Sequence, residues 1–202
     1  MMGVVELDFF CNIEIGWNKN IKVLMTNNHV LNENDIKIGQ TIKFSINNDD
    51  KFFNIFIDNT RKTYTNNYYD VTIIEIKEYD KIDEKSFFDL DKQIFEENAY
   101  EIYKKCQIFL LHYPKGIKAE ISNGTIKSIT EDNKTILHFC DTSGGSSGSP
   151  IINKANFKVI GIHKGAPEGA KNYNLGILLN YPIEKYKEEI KVCKDNHIKE
   201  VN

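Results

Sequence analysis

The sequence predicts an all-β protein with two strand-rich halves and a C-terminal helix. Three observations support this prediction. Short segments rich in β-branched and aromatic residues recur along the chain, clusters of Asn, Asp and Gly separate them, and the last segment has its apolar residues at helical spacing. A series of short strands with turn residues between them is typical of a sandwich or a barrel. The 202 residues are enough for one large domain or two small ones.

The first half, residues 1–85, contains five predicted strands and would form one β-domain. After it, residues 86–105 are charged and are predicted to form a linker with a helical turn or two. The five strands are predicted at 4–15, 22–26, 41–46, 52–57 and 71–76.

The second half, residues 106–182, is predicted to form the other β-domain. Within it, Asn123-Gly124 is a strong tight-turn signal, so residues 119–129 form either a hairpin or a bulged strand. The strand after Ser149 starts at Pro150. The remaining strands are predicted at 107–113, 135–139, 158–163 and 175–179.

The final segment, residues 183–202, is predicted to be a helix. Pro182 precedes it, and proline is favourable at a helix start. Ile183, Tyr186, Ile190 and Val192 recur roughly at helical spacing.

The composition limits the classes of function. Charged residues make up 27% of the chain, the formal net charge is −3, and no basic stripe is visible, so a nucleic-acid partner is not expected. No apolar run approaches the roughly 20 residues that a membrane helix needs, so no membrane contact is expected. The N-terminal segment carries Glu6 and Asp8 instead of a basic stretch. It is therefore not a signal peptide, and a cytoplasmic location is predicted.

The four cysteines are far apart in the sequence, at Cys11, Cys106, Cys140 and Cys193. Without a C-x-x-C pair or a secretion signal, they are predicted to be free thiols rather than disulfides or metal ligands. We therefore expect neither a metal nor another cofactor. The sequence makes no prediction of the oligomeric state.

A segment rich in serine and glycine, CDTSGGSSGSPII at 140–152, offers two candidate nucleophiles. Ser146 satisfies G-x-S-x-G, but that motif needs a following helix, and Pro150 predicts a strand instead. Ser147 fits G-x-S-G-S-P. Here a glycine two residues before the serine lets the amides of Gly145 and Ser147 face one point, where they could bind an oxyanion. The sequence favours Ser147.

The Ser147 pattern resembles the G-D-S-G-G-P motif of the trypsin/chymotrypsin-like serine peptidases. Residues 23–31, VLMTNNHVL, are similar to the T-A-A-H motif that carries the catalytic histidine of that family, here His29. Asn27 and Asn28 stand where the family usually has two small alanines. Asp70 opens an apolar strand, as in the aspartate motif of the family. The order His29, Asp70, Ser147 is that of the chymotrypsin type.

The resemblance implies two antiparallel β-barrels with the active site in the cleft between them. His29 would be the general base, Asp70 would orient it, and Ser147 would attack the peptide bond to form an acyl-enzyme. The implied partner is a protein or peptide substrate, with no metal or cofactor. The alternative is a catalytically silent copy of this fold that serves as a protein-binding module.

The specificity residues give two conflicting signals. The strand ending GIHKG resembles that of the bacterial glutamyl endopeptidases, in which His163 would bind an acidic side chain beside Thr142. Lys164 and Gly165 would form the edge along which the substrate extends. In contrast, Asp141 lies where trypsin-like enzymes carry a carboxylate for Arg or Lys. The longer match favours an acidic or polar residue before the scissile bond.

The chain also lacks an N-terminal Ile-Val-Gly-Gly that proteolysis could release. Activity without proteolytic maturation is therefore expected.

Overall fold

The computed structural model describes residues 5–6, 9–15, 20–45, 52–169 and 172–199, with residues 5–6 and 192–199 described by their backbone alone. Strands dominate this part of the chain. They are β1 Val5–Glu6, β2 Phe9–Glu14, β3 Asn20–Thr26, β4 Thr41–Ser45, β5 Phe52–Phe56, β6 Thr63–Asn66, β7 Val71–Glu75, β8 Phe87–Asp89, β9 Gln107–His112, β10 Glu120–Ile129, β11 Thr135–His138, β12 Pro150–Asn153, β13 Lys158–Gly165 and β14 Asn174–Leu178, with the helices α1 Ala99–Ile102 and α2 Asn180–Lys199.

The second half forms a closed barrel of six strands in the order β10-β11-β14-β13-β12-β9. All neighbours in this barrel are antiparallel. Aliphatic side chains fill its interior and alternate along the strands with outward-facing residues. The inward-facing side chains include those of Ile108, Leu110, Ile136, Ile151 and Ile162, which are fully buried. The barrel that the sequence predicts for this half is confirmed.

The first half forms two open sheets in the described residues, so the second predicted barrel is not confirmed. One sheet has the order β1-β4-β5 and the other β6-β7-β3-β2-β8. Leu24 and Ile74 of the larger sheet pack with Phe44 of the smaller one, while Val23 and Met25 belong to a separate core shared with the six-stranded barrel. The larger sheet is thus buried on both faces, which explains why four consecutive residues are buried in each of β3 and β7.

Two details of the strands differ from the simplest sequence prediction. Asn123-Gly124 lies inside β10, with a register shift between Ile126 and Ser128, so the bulged strand replaces the hairpin. A Cβ on Gly124 would lie 2.6 Å from the backbone nitrogen of Cys140. Glycine is therefore needed here for the close approach of another segment, and not for a turn.

The segment predicted as a linker has regular structure of its own. It contains β8, which pairs in parallel with β2, and the short helix α1. Strand β6 was also not predicted, because its sequence TYTN is short, lacks aliphatic residues and leads directly into Asn66-Asn67. The division of the chain into domains stays a prediction.

The helix α2 begins at Asn180, three residues before its predicted start. Ile183, Tyr186 and Ile190 are buried in the core shared with the barrel. The side chain of Val192 and residues 200–202 lie outside the described part. No helix among the described residues combines the length and the apolar character needed to cross a membrane. Cys11, Cys106 and Cys140, the cysteines whose side chains are described, are free thiols.

Candidate active site

Two neighbouring strands bring His29 and Asp70 together. His29 follows the end of β3 and Asp70 precedes β7, and these strands pair antiparallel with Thr26 opposite Thr72. His29 Nδ1 lies 2.9 Å from Asp70 Oδ2 and 3.0 Å from Oδ1. The backbone nitrogen of His29 also donates to Asp70 Oδ1 at 3.0 Å. The carboxylate is buried, whereas the imidazole is about half exposed (49%).

This contact fixes the tautomer of the imidazole. An ionised carboxylate only accepts hydrogen bonds, so Nδ1 carries the proton and Nε2 keeps its lone pair. A half-exposed imidazole with a free Nε2 acceptor is the form that a general base requires.

Asn27 and Asn28, which depart from the small residues of the family motif, hold the turn that carries Asp70. Asn27 Nδ2 donates to the carbonyl oxygen of Asp70 at 2.9 Å, and Asn28 Nδ2 donates to Thr65 Oγ1 at 2.8 Å. Asp70 itself has a φ of +52°. This region is uncommon for residues other than glycine, but aspartate and asparagine adopt it more readily than most, and the amide of Asn27 helps to hold the aspartate there.

Ser147 lies in the turn before β12 and is partly exposed. Its hydroxyl donates to the carbonyl oxygen of Lys164 at 3.3 Å. The Lys164 ammonium in turn lies 3.8 Å from Asp70 Oδ2. Lys164 therefore contacts two of the three predicted catalytic residues, the serine through its backbone and the aspartate through its side chain. Among the described contacts, Ser147 makes no hydrogen bond to His29. Catalytic hydrogen bonds often form only with substrate bound.

The backbone amides of Gly145 and Ser147 donate to no residue that the structure describes. Lys115 N donates to Gly144 O at 2.6 Å. Because the N–H and C=O of a trans peptide point in opposite directions, this bond turns the Gly145 N–H away from Lys115. Gly145 has a φ of +89°. Neither amide is therefore occupied by a described residue, and the oxyanion hole that the sequence predicts stays a prediction.

A cavity of about 260 Å³ lies beside the serine loop. It is lined by Asp141, Thr142, Ala166 and residues 172–174, among others. Asp141 is exposed, so its carboxylate is not a buried charge that needs a basic partner. Gly165, at the end of β13, is half-buried and continues the strand edge next to this cavity.

His163 is buried and is hydrogen-bonded to a second histidine, His138, to which no role was assigned from the sequence. Its Nδ1 lies 3.1 Å from His138 Nε2, and Cys140 N donates to His138 Nδ1 at 3.3 Å. Burial lowers the pKa of His138 to about 4, although a hydrogen bond with the backbone of Leu175 acts in the opposite direction and raises the pKa. Burial, together with neighbouring histidines, lowers the pKa of His163 to about 3.

These contacts set the protons of the histidine pair. The Cys140 amide can only donate, so His138 Nδ1 accepts and its proton lies on Nε2. That proton is donated to His163 Nδ1, which leaves the proton of His163 on Nε2. At neutral pH, His163 is thus an uncharged donor, oriented by a second histidine that only the fold brings near it.

Ser146, the alternative nucleophile, has no exposed surface. Its hydroxyl lies 2.7 Å from His112 Nδ1, so it is closed to a substrate. Among the residues with described side chains, no group of three or more His, Cys, Asp or Glu could hold a metal ion.

A model of the trypsin-like peptidase domain family matches residues 9–162. Solved structures of proteases share the fold. The serine protease domain of the Sesbania mosaic virus polyprotein is 17% identical, with a TM-score of 0.53 over 88% of this chain and 84% of that one. A serine endoprotease from Yersinia pestis is 12% identical, with a TM-score of 0.51 over 89% and 61%.

The HtrA-type protease AlgW, in a structure with a decapeptide, is 12% identical, with a TM-score of 0.53 over 93% of this chain and 50% of that one. The chain thus spans less than two thirds of the length of the Yersinia protein and of AlgW. No functionally curated protein matches the sequence. With these neighbours, the all-β fold described above is a chymotrypsin-like one.

Proposed function

The chain belongs to the trypsin-like peptidase family, and on that premise we propose that it is a serine endopeptidase that uses Ser147, His29 and Asp70. The observation that carries the proposal is the double contact of the Asp70 carboxylate with the side chain and backbone of His29. This contact holds the imidazole in the one tautomer that can accept a proton from a serine.

In the proposed reaction, Ser147 Oγ attacks the carbonyl carbon of the scissile bond while His29 Nε2 takes its proton. The imidazolium that forms is stabilised by Asp70. The amides of Gly145 and Ser147 bind the oxyanion, and each such donor contributes about 10²–10³-fold to kcat. His29 then protonates the leaving amine. Water, activated by the same imidazole, releases the acyl group.

For the residue before the scissile bond, we propose an acidic or amide side chain, as in the glutamyl endopeptidases that the sequence resembles. His163 supports this, because its Nε2–H is a neutral donor that suits a carboxylate or carboxamide oxygen. The hydroxyl of Thr142, which lines the cavity, is a second donor. The competing preference for Arg or Lys would need Asp141 as a buried anion, and Asp141 is exposed. A substrate extended along 164–166 would add a strand to β13.

A fluorophosphonate probe tests the proposed nucleophile. The wild-type protein should be labelled once, on the peptide that contains Ser147, and Ser147→Ala should not be labelled although it folds. Ser143→Ala is the matched control, because it removes an exposed hydroxyl of the same loop and should leave labelling unchanged. A folded wild type that is not labelled at any pH from 6 to 9 would contradict the proposal.

Digestion of a mixed peptide library, read by mass spectrometry, tests the proposed specificity. Cuts after Glu or Gln are expected, and they should be lost in His163→Ala but kept in Asp141→Ala. Cuts after Arg or Lys that vanish in Asp141→Ala would instead establish the basic preference.

The second candidate function is a catalytically silent module that binds peptides. The observation in its favour is that the Ser147 hydroxyl donates to Lys164 O and not to His29. Peptide binding by a folded wild type that neither cleaves nor labels would establish this alternative.

A further inference from the structure

Directly behind the proposed nucleophile lies a buried pair that the reaction does not use. Ser146 Oγ is 2.7 Å from His112 Nδ1 and accepts a hydrogen bond from Ser143 N at 3.2 Å. Ser146 N donates back to Ser143 O at 3.1 Å. Both Ser146 and His112 are buried. Two hydrogen bonds between Ser143 and Ser146 therefore close this tight turn. The contact with His112 connects the turn to the end of β9.

One of these hydrogen bonds has a fixed direction. The Ser143 amide can only donate, so it occupies a lone pair of Ser146 Oγ. The hydroxyl keeps its proton and a second lone pair, so the tautomer of the imidazole sets the direction of its bond with His112 Nδ1. Burial lowers the pKa of His112, so its neutral form predominates at pH 7.

Three titratable groups face His112 from the elements around it. Glu120 of β10 is its cross-strand partner and opposes the lowering of its pKa. His163 of β13 is close enough to be affected by its charge. Asp141 lines the same cavity of about 390 Å³.

The residues that follow His112 contact Gly144 and Gly145, which directly precede Ser146 in the serine loop. Lys115 N donates to Gly144 O at 2.6 Å. A Cβ placed on Gly145 would lie only 2.7 Å from Tyr113 O. Residues 112–116 thus contact Gly144, Gly145 and Ser146. The bond to Gly144 O fixes the peptide unit that carries the Gly145 amide, and the bond from His112 holds the side chain of Ser146, the residue directly before the Ser147 amide.

We propose that His112 is a positioning residue for the oxyanion hole, and that its hydrogen bond to Ser146 keeps the amides of Gly145 and Ser147 directed at one point. The inference rests on the proposed function, because an oxyanion hole matters only if acyl transfer occurs. Without His112, the buried hydroxyl of Ser146 keeps only the Ser143 amide as a partner, and a buried polar group is costly to leave partly unpaired. The loop would then rearrange one residue away from the nucleophile.

The test compares two substitutions at one position. His112→Asn keeps a polar side chain that can either donate to or accept from Ser146 Oγ, whereas His112→Leu removes this hydrogen bond and keeps an apolar side chain of moderate size. The measurements are kcat and KM on a peptide, the affinity for a peptide aldehyde that forms a tetrahedral adduct, and the number of sites labelled by a fluorophosphonate.

For His112→Leu we expect kcat per labelled site to fall about 10- to 100-fold, less than for outright loss of a donor. KM should stay within about 3-fold, and the aldehyde should bind more weakly by the same factor as kcat, because both depend on the oxyanion hole. His112→Asn should recover most of this loss. If His112→Leu does not fold, Ser146→Ala removes the same bond from the other side and should show the same fall in kcat.

Unchanged kcat per labelled site in His112→Leu or Ser146→Ala, with an active wild type, would overturn the role of His112 and leave the proposed peptidase intact. A loss confined to the number of labelled sites would do the same, because it would reflect folding alone. A wild type that neither labels nor cleaves would overturn both proposals.

Discussion

Replacing Asp70 with asparagine should inactivate the enzyme through the tautomer of His29. Both carboxylate oxygens lie within 3.0 Å of His29 Nδ1, but only Oδ1 also accepts from the backbone N–H of His29, at 3.0 Å. A backbone N–H cannot become an acceptor. The amide oxygen of Asn must therefore stay at the Oδ1 position, which places its NH₂ group against Nδ1.

That arrangement favours the opposite tautomer of the His29 imidazole. Nδ1 must then accept a hydrogen bond, the proton moves to Nε2, and His29 can no longer take the proton of Ser147. The same substitution in a serine peptidase triad lowers kcat by roughly 10⁴-fold, which is a loss of about 5 kcal/mol of transition-state stabilisation. The fold should tolerate the change, because asparagine has the same shape and is well tolerated at the positive φ of Asp70.

Steady-state cleavage of a peptide substrate, with sites counted by active-site titration, measures this effect. Asp83→Asn is the matched control, because Asp83 is an exposed residue at the start of a short helix and makes no described contact with the site. It should keep full activity. If Asp70→Asn retained kcat within about tenfold of the wild type, the proposed orientation of the base would be wrong.

Three further predictions address other parts of the site. Asn27→Ala, which restores the small residue usual in the family, removes the bond to the carbonyl of Asp70; unfolding in urea should show a loss of about 1–3 kcal/mol, and no loss would contradict the anchoring role. Gly145→Ala should lower both stability and kcat, because its Cβ would lie 2.7 Å from a carbonyl oxygen at a φ of +89°; thermal unfolding and peptide turnover measure the two effects, and a fully active variant would contradict the assigned loop geometry. In the folded protein the pKa values of His138 and His163 are lowered to about 4 and about 3. Below about pH 6.5 the unfolded chain therefore binds more protons than the folded one. The free energy of unfolding should fall as the pH drops from 6.5 toward 3, by roughly 3 kcal/mol or more for the pair. A His138→Phe, His163→Phe double variant should lose most of that pH dependence in acid-unfolding experiments, and an unchanged acid transition would contradict the buried neutral pair.

Some features of this chain were readable from the sequence because they depend on local order. The strand-rich halves, the barrel of the second half and the terminal helix follow from alternation, turn residues and helical spacing. The positions of His29 and Asp70 were readable for a related reason, because each adjoins a continuously apolar strand. The structure places those strands side by side.

Other features depend on contacts between distant segments and had no local signal. Asn27 weakened the resemblance to the family motif, yet it holds the carbonyl of Asp70, 43 residues away. His112 and His138 have no motif around them and acquire partners 34 and 25 residues away. Gly124 was readable only as a turn signal, because the close approach of Cys140 depends on the closure of the barrel.

The open sheets of the first half have a similar explanation. The apolar patterns of 22–26 and 71–76 predict buried strands, but they do not say whether both faces are covered by one barrel or by two neighbouring layers. The structure covers one face with the smaller sheet and the other with the six-stranded barrel.

Detection of a covalent acyl group on Ser147 distinguishes a serine peptidase from a catalytically silent protein with the same fold. The protein can be mixed with a peptide ester, quenched in acid within the first turnover, digested and mapped by mass spectrometry. We predict one acyl group per molecule on the fragment that contains Ser147, absent from Ser147→Ala and strongly reduced in Asp70→Asn. Peptide cleavage without any acylated fragment, or an acyl group on another residue, would contradict the proposed mechanism.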